Sequence, residues 1–133
     1  MADSMAEKKA KWIKTARWIY WTVTLLVVVG CMMSAGVTFL MHASFNAEGI
    51  THLGYPVYLL TILGAAKLLG GFAILQGRSR TLKEWGYAGY TYILLGASAS
   101  HLLFGDPFIK ILVPLIILAF LMMSYRQWKT GWR

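Results

Sequence analysis

Residues 18–41 read WIYWTVTLLVVVGCMMSAGVTFLM, a run that contains no charged side chain. At about 1.5 Å of rise per residue, a helix of this length crosses the ~30 Å hydrocarbon core of a bilayer. The run therefore predicts a transmembrane helix, and it decides the class of protein to which the chain belongs.

Three further apolar runs follow, at residues 55–76, 85–104 and 108–125. They are separated by a polar loop at 42–54, a basic turn at 77–84 and a tight turn of Gly105, Asp106 and Pro107. In that turn we expect Asp106 to cap the fourth helix and Pro107 to open it. Because short connections favour antiparallel neighbours, we predict an all-α, integral membrane four-helix antiparallel bundle.

Composition agrees with a membrane protein. Hydrophobic residues make up 58% of the chain, and charged residues 14%, against ~45–50% and ~25% in soluble domains. The formal charge of +8 would suggest nucleic acid in a soluble protein. Here the basic residues flank apolar runs, where they contact lipid headgroups, so we expect no nucleic-acid partner.

The distribution of basic residues predicts the orientation. Eleven of the thirteen lie in residues 1–17, 77–84 and 126–133, whereas the 42–54 loop has none. They are Lys8, Lys9, Lys11, Lys14, Arg17, Arg78, Arg80, Lys83, Arg126, Lys129 and Arg133. The positive-inside rule therefore predicts a multi-pass protein of the cell membrane (the inner membrane) with both termini in the cytoplasm. Residues 1–17 and 127–133 are then basic cytoplasmic tails around a transmembrane domain at 18–126.

Cys31 is the only cysteine of the sequence, so a disulfide within the chain is excluded. The preceding residues Val28, Val29 and Gly30 give this position the look of a lipoprotein cleavage site. The apolar run continues past Cys31 to residue 41, however, which is not typical of a cleaved signal peptide. We therefore expect the first helix to stay attached.

Lys67 is a charged residue near the middle of the second run, where a charge costs at least ~2.5–3.5 kcal/mol. Gly64, Lys67 and Gly71 share one helix face, which predicts that Lys67 points into the bundle. The ligand-binding candidates at or above its depth are Lys67, Tyr90, Tyr92 and His101. The alternatives are an amine that contacts a ligand or substrate, and a lysine hydrogen-bonded to Tyr90, Tyr92 or backbone carbonyls.

His42, His52 and His101 are all expected at the outer side, at the level of Glu48 and Asp106. Such a group could hold a divalent metal or a polar headgroup. The spacing of the histidines does not match a metal-binding motif. We therefore predict no metal site and interpret these histidines as interfacial side chains solvated by water.

Several short motifs occur in order along the chain: HLGYP at 52–56, LGAAKLLG at 63–70, LKEWGYAG at 82–89, GA at 96–97, SH at 100–101 and GD at 105–106. Over about residues 20–126 this pattern closely resembles the DoxX-like family of small membrane proteins. The resemblance implies a four-helix membrane bundle. It also places Lys67, Glu84, His101 and Asp106 at family motif positions.

The resemblance implies less about activity. Relatives are linked to thiosulfate:quinone oxidoreductase, to membrane oxidoreductase complexes and to membrane chaperones for receptor assembly. Similar proteins often carry an aspartate where this chain has Ile93. That aspartate would lie at the depth of Lys67, so its absence here leaves the lysine without a counter-ion.

Three functions compete. The first is a non-catalytic accessory or assembly subunit, working through helix contacts or a bound apolar ligand, with a protein partner or a second copy in the bilayer. The alternative is a quinone-linked membrane oxidoreductase subunit, although the chain offers no redox group beyond one thiol. A small transporter ranks third because no carboxylate lies in a helix centre. No cofactor is built into the chain, and the candidates for a bound molecule are a quinone or a lipid.

Single cysteines at Ser79 and Glu48, in a Cys31→Ser background, test the orientation. A membrane-impermeant thiol reagent added outside should label position 48 and leave position 79 unlabelled, because the basic turn stays in the cytoplasm. Labelling of position 79 from outside would overturn the predicted topology.

Overall fold

The computed structural model describes residues 2–131, and this part of the chain is helical with no β-strand. Its α-helices are α1 (Ala2–Thr24), α2 (Ser34–Leu40), α3 (Ser44–His52), α4 (Leu59–Leu75), α5 (Arg80–Phe104) and α6 (Phe108–Arg126). Two π-helical segments, Leu25–Met33 and Gln127–Gly131, continue α1 and α6. The all-α class is therefore confirmed. Residue 1 and the last two residues of the predicted C-terminal tail, including Arg133, lie outside the described residues.

The first predicted span is part of one long helical stretch. α1, the first π-helical segment and α2 follow one another directly, and the N-terminal tail from residue 2 is itself helical. Nothing in the sequence had indicated the π-helical segment. π-helices are rare and usually limited to single turns, whereas this one runs from Leu25 to Met33.

The prediction of a plain polar loop at 42–54 is wrong, because these residues contain the short helix α3. His42, at φ 50°, turns the chain between α2 and α3, and Gly54, at φ 85°, turns it after α3. Both residues adopt the left-handed region, which glycine tolerates freely and which histidine adopts more often than most other side chains. The result is a short helix between two turns that packs on α2 and α4.

The turns on either side of α5 follow from local side-chain and backbone chemistry. The Ser79 hydroxyl caps α5 by accepting a hydrogen bond from the amide of Leu82 at 3.2 Å. Gly105, at φ 83°, ends the helix in the left-handed conformation. The prediction that Asp106 caps α6 is wrong: Pro107 occupies the N-cap, and no side chain caps that end. The Asp106 carboxylate is engaged elsewhere.

α4 lies between two neighbours, packing on α2 on one side and on α5 on the other. α5 also packs on α6, and α6 packs on α1. The core includes Tyr20, Tyr87 and Trp128, so the C-terminal tail packs back onto the helices. Lys83, counted above as a basic residue of the turn, is buried there with its Nζ 5.0 Å from the ring centroid of Tyr20.

Glycines set the close approach of α4 to both neighbours. A Cβ added at Gly64 would lie 2.9 Å from the carbonyl oxygen of Gly36 on α2. A Cβ added at Gly86 on α5 would lie 2.9 Å from the carbonyl oxygen of Gly70 on α4. Small residues at such crossings let backbones approach closely, as is common in membrane bundles.

Two helical stretches are long and apolar enough to cross a membrane by length and composition: Ser4–Leu40 and Phe108–Thr130. α4 is apolar but shorter, and α5 carries tyrosine, serine and histidine side chains within its apolar run. This finding, which covers the described residues only, agrees with a membrane protein. Four spans and an antiparallel arrangement remain predictions.

Replacing Gly64 with Ala should destabilise the protein by about 1–3 kcal/mol, the usual cost of overpacking. The added methyl group would meet the backbone of Gly36 and Leu40, which cannot move aside as a flexible side chain could. Thermal unfolding in mild detergent measures the effect. The control is Gly89→Ala on α5, where the added methyl group meets open space. Equal melting temperatures for the two variants would contradict the proposed crossing.

Candidate ligand-binding cavity

Lys67 lies on the buried face of α4, as predicted. Gly64, Lys67 and Gly71 are all buried, and Lys67 is only 8% exposed. The residue stands between Gly64 and Gly70, the glycines that contact α2 and α5. Its side chain is therefore held inside the protein by the packing on both sides of it.

The ammonium group of Lys67 has no ionic partner among the described residues. Its Nζ lies 3.8 Å from the ring centroid of Phe39 on α2, a cation–π contact. None of the ion pairs or side-chain hydrogen bonds of the described chain reaches this nitrogen. A nearly buried ammonium thus keeps N–H donors that the protein does not use.

A cavity of about 470 Å³ opens beside Lys67. Its volume falls in the ~300–1,000 Å³ range of small-molecule sites. The wall is formed by α2, α3, α4, α5 and the connection between α3 and α4. The lining residues are Phe39, Phe45, Asn46, Gly49, Ile50, Leu53, Tyr55, Leu59, Leu63, Lys67, Tyr92, Ile93, Gly96, Ala97, Ser100 and His101.

Hydrogen-bonded polar groups gather in the part of the cavity away from Lys67. The hydroxyl groups of Tyr55 and Ser100 are 2.6 Å apart. The Asn46 amide donates to the Thr38 hydroxyl at 2.9 Å, which ties α3 to α2. His101 lies one residue beyond Ser100 on α5. The site therefore combines apolar walls with a few placed polar groups, the usual composition of a ligand pocket.

Asp106 joins three elements at this end. Its carboxylate lies 2.6 Å from Nδ1 of His101 on α5 and 2.8 Å from Nε2 of His52 on α3. The side chain of Asp106 is only 6% exposed. The hydrogen bonds to His101 and then to His52 hold the pKa of Asp106 below its usual value. Asp106 therefore stays ionised and fixes α3 over the cavity.

The contact with Asp106 also orients His101. Because Nδ1 contacts the carboxylate, the second ring nitrogen, Nε2, is the one available to a ligand in the cavity. The same arrangement changes the interpretation of the other two histidines. His52 binds Asp106, and His42 lies 2.9 Å from the Thr61 hydroxyl, so both have protein partners rather than water alone.

The predicted site residues do not all meet. Lys67, Tyr92 and His101 line one cavity, and Asp106 supports it. Tyr90 is fully buried outside the lining, and its hydroxyl donates to the main-chain carbonyl of Lys67 rather than contacting the amine. Glu84 lies elsewhere in the structure, away from the cavity.

Glu84 belongs to a separate cluster. Its carboxylate accepts hydrogen bonds from Lys129 at 2.5 Å and from Tyr125 at 2.8 Å. These contacts join the start of α5 to the end of α6 and to the second π-helical segment. Glu84 therefore fastens the C-terminal tail and makes no contribution to the cavity wall.

Sequence reasoning missed the contributions of α2 and α3. Phe39 and the α3 residues Phe45, Asn46 and Ile50 line the cavity. Phe39 carried no signal because one aromatic residue in an apolar run is usually a packing residue. The α3 residues were not considered because residues 42–54 were predicted to form a loop.

The described residues contain no group of three or more His, Cys, Asp or Glu side chains that could hold a metal ion. Cys31 lies outside the cavity lining. What the cavity offers is one ammonium group, hydroxyl groups, an oriented imidazole and aromatic faces. That set is suited to binding and orienting a largely apolar molecule.

The comparisons with known proteins give a family. No curated protein and no solved structure matches the chain. The family model of the DoxX-like family matches residues 22–124, which is about three quarters of the 133 residues and includes the whole cavity wall. The chain therefore belongs to the DoxX-like family.

Proposed function

We propose that this chain is a non-catalytic accessory or assembly subunit in a membrane. It works by holding an apolar ligand in the cavity between α2, α3, α4 and α5. The observation that carries the proposal is a nearly buried lysine at the wall of a ligand-sized cavity, with no ionic partner among the described residues. Intramembrane ionisable residues usually mark functional sites because they are costly to keep.

The membrane setting of the proposal is a four-helix antiparallel bundle in the cell membrane with both termini in the cytoplasm. The basic residues of the tails and of the 77–84 turn favour this orientation. Many large apolar side chains, such as Leu69, Leu103 and Ile109, are exposed on the protein and would face lipid or a partner helix. In this orientation α3 and Asp106 lie on the outer side.

Access to the cavity favours a ligand that comes from the bilayer. Tyr92 lines the cavity and is nevertheless 75% exposed. Gly96 also lines it, and a Cβ added there would meet nothing within 4 Å. The wall is therefore open along this side of α5.

A quinone-linked oxidoreductase subunit is the second candidate. Phe39, Phe45 and Tyr92 present aromatic rings to the cavity, and a quinone ring would suit them. The chain itself supplies no redox group next to the cavity within the described residues, so this function would need a partner subunit. A transporter is less favoured because no carboxylate of the described residues lines the cavity.

Gly96→Leu tests whether the cavity binds a ligand. A Cβ at this position meets nothing within 4 Å, so we expect a leucine side chain to enter the open side of the cavity and exclude the ligand. Protein purified from membranes in mild detergent and analysed by native mass spectrometry should show a bound species in the wild type and not in Gly96→Leu. Gly89→Leu is the matched control, since Gly89 lies on the same helix in open space but outside the cavity.

The mass of the bound species also separates the two candidates. A quinone would favour the redox subunit, and another lipid-soluble molecule would favour the accessory role. If Gly96→Leu and Gly89→Leu retain the same species to the same extent as the wild type, the cavity is not the binding site.

A further inference from the structure

We propose that the ligand of the cavity is an amphiphile with a carboxylate headgroup, a fatty acid or a similar lipid-soluble acid, and that the carboxylate pairs with Lys67. This inference rests on the proposed function, because it names the ligand class of the same site. It adds a chemical preference that cavity binding alone does not require.

The charges around the cavity point to an anion. Lys67 is the one Lys, Arg, Asp or Glu side chain among the described residues that line it. Asp106 contacts the cavity-lining residue His101, but its carboxylate is already paired with His101 and His52. Ile93, which lines the cavity from α5, is apolar. The protein therefore leaves a positive charge that a ligand can neutralise.

The geometry at Lys67 leaves room for such a partner. The Phe39 ring contacts the ammonium group on one side, with 3.8 Å between Nζ and the ring centroid. An ammonium has three N–H donors, and the described residues accept no hydrogen bond from them. A carboxylate would accept two of these bonds and remove the unpaired charge, which is expensive in an apolar setting.

The rest of the cavity suits an aliphatic chain. Beyond Lys67 the α4 wall is formed by Leu63 and Leu59, and α3 adds Ile50 and Leu53. The eight residue-to-residue steps from Lys67 to Leu59 span about 12 Å of helix. A volume of 470 Å³ has room for roughly fifteen groups of the size of a water molecule, at about 30 Å³ each. A medium-length acyl chain is of this size.

A carboxylate is favoured over a phosphate headgroup. Phosphate sites in proteins usually gather several donors from arginine side chains, lysine side chains or helix N-termini. Here a single ammonium is available, and the other polar groups lie near His101 and Ser100, towards the opposite end of the cavity. One singly charged acid matches one lysine.

Dodecanoic acid and 1-dodecanol form the test pair, because they share one chain and differ in the headgroup. The full chain is placed in nanodiscs of neutral phospholipid at pH 7 with an equimolar mixture of the two. Native mass spectrometry then gives the ratio of acid-bound to alcohol-bound protein. Partitioning into lipid cancels when wild type and variants are compared in the same nanodiscs.

Lys67→Met should lower this ratio at least about tenfold relative to the wild type, because the charge-assisted bond is lost while the apolar cavity stays. Lys67→Arg, which keeps the charge, should retain a preference for the acid. A ratio unchanged by Lys67→Met would overturn the inference.

Ile93→Asp gives a second test that keeps Lys67 in place. The new carboxylate should neutralise the lysine or repel the acid, and so reduce acid binding as strongly as Lys67→Met does. Ile93→Asn, which is similar in shape and uncharged, should keep the preference for the acid. Acid binding that survives Ile93→Asp would contradict the inference.

The outcomes separate this inference from the proposed function. If acid and alcohol bind the wild type equally and Gly96→Leu abolishes both, the cavity is a ligand site and the carboxylate preference is wrong. If neither molecule binds the wild type and Gly96→Leu loses no co-purifying species, the proposed function fails, and this inference fails with it.

Discussion

The close packing of α4 on both α2 and α5 determines where Lys67 lies and which helices surround the cavity. Gly64 lies against the backbone of α2, and the carbonyl oxygen of Gly70 lies against Gly86 of α5. Lys67 lies midway between these glycines. A rotation of α4 that turned the lysine outwards would break both crossings, so the packing of these helices keeps the charge inside the protein.

The position of Lys67 between these crossings makes its burial costly. A lysine that faced lipid could extend its flexible side chain towards water and lose little. A lysine held at the wall of an apolar cavity cannot reach water in this way. The Phe39 ring is the one electrostatic contact of Lys67 among the described residues. Asp106 acts at the other end of the cavity, where its two histidine contacts fix α3 as part of the wall. These features are better explained by a molecule that binds in the cavity than by helix packing alone.

The sequence predicted those parts of the structure that depend on helical periodicity. The inward face of Gly64, Lys67 and Gly71 is confirmed, as are the all-α class and the family. α3 was missed because residues 44–52 are short, polar and contain Gly49, so neither apolar periodicity nor length distinguishes them from a loop. The role of Asp106 was missed because a local cap is visible in sequence, whereas a contact with His52 on another element is not. The cavity wall includes α3, and the contact between Asp106 and His52 holds α3 in place. The wall could therefore not be assembled from sequence.

An experimental structure of the protein, purified from membranes in a mild detergent, would show whether a ligand pairs with Lys67 in the cavity. The measurement is the density in the cavity within hydrogen-bond distance of the Lys67 Nζ. We expect an elongated feature that begins at this nitrogen and runs between α4 and α5 towards Gly96. A cavity that holds only water, with the Lys67 ammonium bonded to protein carbonyls, would contradict it.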